Sequence, residues 1–348
     1  MASDPRNILV VHIAGLGQTV LALPALRALR QHLSEARITV AASTLGAEVI
    51  RLARCADEIL PVGRLRGAEM LKPSSAYRSS KTLSEIKRGY YDLAIELNSN
   101  TEAGLLMQLA QPRARLNGKR NSLSHGLSIV IERATRKLVN HSWQPQLTHD
   151  AHAYLQKLEP LSVRPFEAEP RLTTDREADA RLERLLAKHG IAFGELLIGL
   201  HPGAGKRKPR WEFEHFVNLG ARLYHNFNAR LLVFAGKQER GMARRLVREL
   251  PAKSAIALEA TKLPDLASAL ARLSLFIANH SGPAHLAAAV GAPVIVISPH
   301  PVPTAQDILG KQQLHLRAPH LSLISEEAVY EAACQMLKSN RASVLSAR

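Results

Sequence analysis

Short apolar runs alternate with segments of helical spacing through the first half of the chain. Residues 8–13 form an apolar run typical of a parallel strand that is covered on both faces. After a glycine turn at residues 15–17, apolar positions recur at helical spacing as far as Leu33. The same criteria predict further strands at residues 38–42, 59–62, 91–97 and 115–117, and helices at 20–33, 47–53, 102–109 and 151–158.

The second half repeats this alternation more regularly. Strands that alternate with helices indicate doubly wound α/β domains built on parallel sheets. We therefore expect an α/β protein with two such sheets facing a central cleft, and ligands bound at the carboxyl ends of the strands. The predicted strands lie at residues 196–200, 230–235, 255–258, 275–279 and 294–298, and the helices at 175–189, 212–225, 240–250, 263–273, 284–290 and 326–338.

The length of 348 residues is long for a single hydrophobic core and suits two domains. Residues 159–174 carry three prolines and little periodicity, which predicts a linker. The expected division is an N-terminal domain over residues 1–165, a C-terminal domain over 175–325, and a helical segment at 326–348 that packs back on the first domain.

The net charge of +16 implies an anionic partner. Aromatic residues make up only 4% of the chain, too few to form the base-stacking surfaces of proteins that bind single-stranded nucleic acid. Cys55 and Cys334 lie far apart and fit no metal spacing, which favours a reduced, cytoplasmic setting. The fifteen histidines lack neighbouring acidic or thiol ligands at metal spacing, so no metal is expected.

Residues 8–26 are apolar enough to suggest a signal peptide or a membrane span. His12, Gly15, Gly17 and Pro24 interrupt this segment, however, and no cluster of positive charge precedes it. We interpret it as a strand, a turn and a helix. Any contact with the inner face of an anionic membrane is expected to be peripheral.

A polar turn follows the predicted strand at residues 275–279. Ser281-Gly282-Pro283 opens a short helix, whose first backbone N–H groups have no partner inside the helix. That helix end carries partial positive charge and can receive a phosphate. Pro283 suits the first helical position because its missing N–H would be unpaired there. The candidate ligand-binding residues of this turn are Asn279, Ser281, Gly282, Pro283 and His285.

A cationic loop follows the predicted strand at residues 196–200. Fixed guanidinium and ammonium groups are what a metal-free site needs to neutralise a departing diphosphate. A solvated basic loop is the alternative interpretation. The candidate residues are His201, Gly203, Ala204, Lys206, Lys208, Arg210 and Trp211.

Gly236 and Glu239 follow the next predicted strand. The Glu239 carboxylate is a candidate to accept both hydroxyls of a ribose, or it is an ordinary acidic residue at a helix start.

Two glycines, Gly15 and Gly17, occupy the first strand-to-helix turn. No third glycine follows at dinucleotide spacing, which argues against a dehydrogenase. The glycines either serve a tight turn or let a ligand approach the backbone of Gly17 and Thr19.

Together these blocks resemble glycosyltransferase family 9, the heptosyltransferases that build the inner core of lipopolysaccharide. The resemblance lies in residues 8–30, the strand at 91–97, the His-Pro-Gly-Ala loop with Arg210-Trp211, and the turn from Asn279 to His285. It implies a GT-B fold and a metal-independent, inverting transfer of a heptose from ADP-heptose to an acidic, lipid-linked sugar. The donor would lie mainly against the second domain and the acceptor against the first, with no cofactor beyond the nucleotide-sugar substrate.

Three positions depart from the family pattern. Gln18 stands where the family usually has an aspartate that is thought to deprotonate the acceptor hydroxyl, and an amide cannot take a proton near neutral pH. His280 replaces a second aspartate, and Pro209 replaces a lysine. Gln18 therefore orients the hydroxyl at most, and Glu96, His12 and His280 are the candidate bases.

Several explanations stay open at this point. One explanation is that the acceptor hydroxyl needs little help from a base. Another is that the donor differs from ADP-heptose, and a third is that the protein binds a nucleotide sugar without turnover. A working glycosyltransferase and a silent relative that acts as a partner or scaffold are the two function classes. A nucleic-acid-binding protein is disfavoured because the basic residues are scattered and no recognition motif occurs.

Two segments of the first half, 64–80 and 118–148, are basic and are predicted to be surface loops. We expect them to attract an acidic glycan or glycolipid acceptor, with Lys119 and Arg120 as the candidate acceptor-binding residues.

Overall fold

The computed structural model of the chain describes residues 5–63, 73–116, 149–163, 168–205 and 209–346; the side chains of 73–79 and 340–346 lie outside this description. Contacts within the chain divide it into two compact units, Met1–Glu169 and Pro170–Arg348.

The first unit contains a five-stranded parallel sheet with the strand order β3-β2-β1-β4-β5. Residues Ile8 to Val11 of β1 are fully buried, as expected for a strand covered on both faces. The strands are β1 (Asn7–His12), β2 (Arg37–Ser43), β3 (Glu58–Val62), β4 (Leu93–Glu96) and β5 (Ala114–Leu116). The helices are α1 (Leu16–His32), α2 (Thr44–Ala53), α3 (Pro73–Arg88), α4 (Thr101–Ala110) and α5 (Asp150–Gln156).

The second unit contains a six-stranded parallel sheet with the order β11-β10-β9-β6-β7-β8. Its strands are β6 (Leu197–His201), β7 (Arg230–Ala235), β8 (Ala255–Glu259), β9 (Leu275–Asn279), β10 (Val294–Ser298) and β11 (Gln313–Arg317). Its helices are α6 (Arg176–Lys188), α7 (Phe213–Phe227), α8 (Met242–Glu249), α9 (Leu263–Ala271), α10 (Gly282–Ala289) and α11 (Glu326–Ser346).

Both sheets reverse their winding direction at one place. In the first unit β1 lies between β2 and β4, and in the second unit β6 lies between β7 and β9. Each reversal leaves the two strand-end loops beside it free to diverge, and such switch points are where open α/β sheets bind ligands. The Gly15–Gly17 turn and the loop after β4 meet at the first switch point, and the loops after β6 and β9 meet at the second.

Side-chain caps explain several of the helix starts. The amide of Gly46 donates to Ser43 Oγ at 3.1 Å before α2. Asn100 accepts from Ala103 at 2.8 Å before α4, and Asp175 accepts from Ala178 at 3.0 Å before α6. Such caps satisfy backbone donors that the helix itself leaves unpaired.

Three elements differ from the sequence prediction. Residues 73–80, predicted as loop, belong to α3; its polar, serine-rich sequence gave little helical periodicity. Helix α1 begins at Leu16, so Gly17 lies in its first turn instead of a turn before it, and the helix continues through Pro24. Strand β11 was not predicted, because an edge strand with only two leucines carries little hydrophobic signal.

Helix α11 packs on the second unit. Its residues Val329, Ala333 and Leu337 belong to the core formed by α7, β9 and β10. An ion pair joins Arg222 of α7 to Glu327 at 2.7 Å. The expectation that this helix also packs on the first domain stays a prediction.

None of the helices in the described ranges is both long and apolar enough to cross a membrane.

Substitution Leu337→Ala is expected to destabilise the protein by about 2–5 kcal/mol, because it removes a side chain that is only 3% exposed from this core. Leu323→Ala, at a leucine that is 67% exposed, is the control and should change the free energy of unfolding by less than about 0.5 kcal/mol. Urea unfolding followed by circular dichroism measures both. Equal effects would contradict the packing of α11 described above.

Candidate active site

Asn279, the last residue of β9, ties together the loop that follows the neighbouring strand β6. Its Nδ2 donates to the Pro202 carbonyl at 2.9 Å, and its Oδ1 accepts from the Trp211 amide at 2.9 Å. The side chain is 1% exposed, so both hydrogen bonds are shielded from water. Asn279 therefore joins the beginning and the end of the loop across the second switch point.

Glu239 holds the same loop from the side of β7. Its Oε1 accepts from the amides of Ala204 at 2.8 Å and Gly205 at 2.9 Å, and its Oε2 accepts from the Gly236 amide at 3.2 Å. Arg210 adds a fourth contact to the carboxylate, with Nη2 at 3.5 Å from Oε1. These partners occupy most of the accepting capacity of the carboxylate, and the expected contact with a ribose stays a prediction.

Two glycines make this arrangement possible. A Cβ atom on Gly203 would overlap the Glu239 carboxylate, so only glycine allows the carboxylate to approach the loop so closely. Gly205 has φ +78°, a conformation that disfavours other residues.

The charge of Glu239 is favoured although the side chain is buried. Burial alone would raise its pKa, but the backbone hydrogen bonds from Gly205 and Gly236, together with the Arg210 guanidinium, hold the pKa below its usual range. Burial lowers the pKa of His201, and its Nδ1 lies 3.0 Å from the Phe234 carbonyl oxygen. The neutral ring therefore carries its proton on Nδ1.

Helix α10 begins at the second switch point. Ser281 is its N-cap and is 5% exposed, and within the described residues its hydroxyl oxygen has no hydrogen-bond partner. Gly282 and Pro283 are half-buried. Pro283 occupies the second helical position instead of the predicted first, with Gly282 before it. A buried, unsatisfied hydroxyl at a helix N-terminus is suited to an anionic oxygen.

His280 and His285 flank this helix start. Nε2 of His280 lies 3.0 Å from the Gln306 carbonyl oxygen. Its ring centroid lies 5.7 Å from that of His285 and 6.0 Å from that of His300, both edge-on. Within the described residues, no group of three or more histidine, cysteine or acidic side chains has the arrangement of a metal site.

Trp211 and Arg210 end the loop in different surroundings. The Trp211 indole is 1% exposed and donates to the Ile324 carbonyl at 2.7 Å, so the structure gives it an anchoring role. The Arg210 side chain is 36% exposed and is the described cation of the loop. Lys206 and Lys208 lie outside the described residues.

The turn after β1 is open on its outer side. Gly15 is exposed, has φ −74° and leaves free space around a hypothetical Cβ, so backbone strain does not require glycine there. Gly17 and Gln18 are half-buried. Thr19 is fully buried, and its hydroxyl donates to the Gly15 carbonyl at 3.0 Å. Its predicted contact with a donor stays a prediction.

A polar cluster fills the interior beside this turn. Glu96 ends β4 and is 3% exposed, and His12 ends β1 and is fully buried. Lys157, which follows α5, donates to the Leu97 carbonyl at 2.5 Å. Burial lowers the pKa of His12 to about 4, opposed by the Gln18 backbone and reinforced by Lys157, so the ring is neutral.

Asp150 completes this cluster and was missed by the sequence analysis. It is the first residue of α5, which packs against α1, and the Gln18 side chain reaches its carboxylate with a hydrogen bond. An aspartate at a helix start looks like an ordinary first-turn acid in sequence. Only the packing of α5 against α1 associates it with position 18.

The sequence matches a known protein family over most of its length. The model of the family described as glycosyltransferase family 9 (heptosyltransferase) matches residues 80–324, more than half of the chain. The chain belongs to glycosyltransferase family 9. It is therefore a heptosyltransferase-like glycosyltransferase.

One relative is the lipopolysaccharide heptosyltransferase 3 of Escherichia coli strain K12, which is 23% identical over 215 residues. The match covers 61% of this chain and 60% of that relative's length.

Several solved structures share the fold over nearly the whole chain. A glycosyltransferase family 9 protein from Veillonella parvula has a TM-score of 0.79 at 21% identity and covers 97% of this chain and 99% of its own. The ADP-heptose lipopolysaccharide heptosyltransferase II of E. coli has a TM-score of 0.72 at 16% identity, with 96% and 99% covered. E. coli heptosyltransferase WaaC with ADP has a TM-score of 0.70 at 18% identity, with 95% and 99% covered. The predicted GT-B fold, with two parallel-sheet domains, is confirmed.

The predicted acceptor residues Lys119 and Arg120 lie outside the described residues.

Substitution Glu239→Gln is expected to lower the free energy of unfolding at pH 7 by about 1–3 kcal/mol, because charge-assisted hydrogen bonds to buried amides are lost. The folded-state pKa lies below the ordinary value of 4.5. The stabilisation is therefore present above pH 4.5 and disappears as the pH falls through the folded-state pKa.

Glu214→Gln is the control, because the Glu214 side chain is 68% exposed in an ion pair with Arg245. Urea unfolding between pH 3 and pH 7 measures both variants. If the loss of unfolding free energy in Glu239→Gln did not shrink at acidic pH, the negative charge assigned to Glu239 would be contradicted.

Proposed function

We propose that this enzyme transfers a heptose from ADP-heptose to an acidic glycan of the lipopolysaccharide-core type, with inversion and without a metal ion. The observation that carries the proposal is the second switch point, where Asn279 and Glu239 hold a glycine-rich loop beside the N-terminus of α10. Such an arrangement is suited to a nucleoside diphosphate.

The donor contacts follow from the chemistry of this point. The N-terminus of α10 and the Ser281 hydroxyl are suited to diphosphate oxygens, and Arg210 supplies a partly exposed guanidinium in the loop after β6. Lys206 and Lys208 add positive charge in the same loop of the sequence. Fixed cations and helix dipoles stabilise a leaving diphosphate, which is why we propose transfer without a metal.

The relatives support the choice of donor. The E. coli enzyme with the same fold is named an ADP-heptose heptosyltransferase, and WaaC was solved with ADP and with a fluorinated ADP-heptose. Shared family membership makes ADP-heptose the first donor to test. His280 is the position in this site where a different donor would be recognised, because the family pattern has an acid there.

The acceptor side of the proposal rests on charge. The chain carries 46 lysine and arginine residues against 30 acidic residues. A phosphorylated glycolipid at the cytoplasmic face of a membrane would be attracted to such a protein. We propose a cytoplasmic enzyme that contacts this surface peripherally.

Calorimetric titration with ADP-heptose, ADP and UDP-sugars, with transfer followed by mass spectrometry in the same samples, tests the proposal. Selective binding of ADP-heptose and a heptose added to the acceptor are expected. Binding without transfer in the presence of acceptor would favour a silent, scaffold-like relative. An absence of binding to every ADP-sugar would refute the donor assignment.

Substitution Arg210→Ala should weaken ADP binding roughly tenfold, which corresponds to about 1.4 kcal/mol, because one charge-assisted contact with the diphosphate is lost. Arg248→Ala, at an exposed arginine of α8, is the control and should leave the Kd unchanged. Calorimetry at two salt concentrations measures both. Equal ADP affinities of the two variants would contradict a contact between Arg210 and the diphosphate.

Neutralising Lys119 and Arg120 together should weaken association with anionic vesicles or acceptor, while ADP binding stays intact. Vesicle sedimentation and calorimetry measure the two properties separately. A loss of ADP binding together with vesicle or acceptor association would contradict the proposal that acceptor and donor bind to separate surfaces.

A further inference from the structure

Transfer to a hydroxyl group needs a site for the proton that the hydroxyl loses. The side chain of Gln18, at the first switch point, cannot take that proton, because an amide is not basic near neutral pH. Within the described part of the chain, two titratable groups interact with Gln18: Asp150 with its side chain and His12 with its backbone. We refer to Asp150, Gln18, Lys157, Glu96 and His12 as the Asp150 cluster.

Asp150 reaches the cluster through the packing of α5 on α1. Its side chain is half-buried, and the Gln18 amide approaches it closely enough to favour the charged carboxylate through a hydrogen bond. Lys157 lies seven residues later, on the same side of the helix. Its ammonium group donates to the Leu97 carbonyl at 2.5 Å and favours the charged forms of Asp150 and Glu96.

The other members of the cluster are poorly suited to meet a substrate. Glu96 is 3% exposed, and His12 is fully buried with its ring edge-on to Tyr154, the centroids 5.3 Å apart. The Lys157 ammonium group is engaged in a hydrogen bond to the Leu97 carbonyl. Asp150 and Gln18 are both partly exposed and touch each other.

We propose that Asp150 is the general base of the transfer and that Gln18 orients the acceptor hydroxyl and the Asp150 carboxylate. This inference rests on the proposed glycosyl transfer. The hydroxyl proton passes to the Asp150 carboxylate while the acceptor oxygen forms a bond to the anomeric carbon of the donor. The bond from that carbon to the diphosphate oxygen breaks, and its electron pair leaves with the nucleoside diphosphate.

The surroundings of Asp150 make it a stronger base than an ordinary aspartate. Burial raises its pKa, and His149, Gln18 and Lys157 only partly oppose the shift. One lysine faces two carboxylates, Asp150 and Glu96. Among the described residues, Asp150 interacts with His149, Tyr154 and Lys157 on its own segment and with Gln18 from α1. Lys157 in turn interacts with Glu96 from β4 and with His12 from β1.

The test compares Asp150→Asn with Glu159→Gln in the full-length protein, using ADP-heptose and the acceptor found in the transfer experiment. Glu159 is an exposed carboxylate just beyond α5 and serves as the control. Asp150→Asn should lower kcat roughly 10²–10⁴-fold, the usual contribution of a general base. ADP affinity and the melting temperature should stay within the range of the control.

Gln18→Ala provides a second readout that a purely structural role would not move. Loss of the amide hydrogen bond raises the pKa of Asp150 further, because that bond favours the charged form. The acidic limb of kcat, along which activity falls as the base is protonated, should therefore move to higher pH. The double variant Gln18→Asp/Asp150→Asn should recover part of the lost kcat, because it returns a carboxylate to the cluster.

The outcomes separate this inference from the proposed function. Wild-type transfer together with an Asp150→Asn variant that keeps its kcat would overturn the role of Asp150 and leave the proposed function standing. An unmoved acidic limb in Gln18→Ala would overturn the role of Gln18. A wild-type enzyme that transfers no heptose would overturn the proposed function and the base assignment with it.

Discussion

The second switch point of this protein depends on the buried side chain of Asn279. Its amide group pairs with the Pro202 carbonyl at the start of the β6 loop and with the Trp211 amide at the end of it, so it joins the two ends of that loop. A buried amide that lost either partner would leave polar groups unsatisfied away from water, which makes this bridge costly to change. The bridge is possible because β6 and β9 are neighbours at the point where the strand order reverses.

Glu239 and Asp150 illustrate how the surroundings of a carboxylate set its pKa. Glu239 accepts three backbone hydrogen bonds, and its pKa is held low, so the charge serves to shape a glycine-rich loop. Asp150 has one amide neighbour, and burial raises its pKa, so the same kind of group is closer to accepting a proton at working pH.

Most helices and strands could be predicted from the sequence, because buried parallel strands consist of continuous runs of apolar residues. Strands Arg230–Ala235, Leu275–Asn279 and Val294–Ser298 agree with the predicted bounds to the residue. The prediction was wrong at residues 73–80, where α3 is polar, and it missed β11, an edge strand with only two leucines. Packing against neighbouring elements stabilises α3, and pairing with β10 stabilises β11, so the local sequence pattern contains little sign of either element.

The sequence alone determined the α/β class, the two loops at Asn279 and at His201, and the loss of an acid at position 18, because each depends on residue type and local spacing. The tertiary structure decided that Trp211 lies in the core, that Glu239 is engaged with backbone amides, and that Asp150 lies beside Gln18. Residues 18 and 150 are distant in the chain and share no local pattern. Their proximity arises from the packing of α5 on α1, and burial of apolar surface drives that packing irrespective of where the two side chains stand in the sequence.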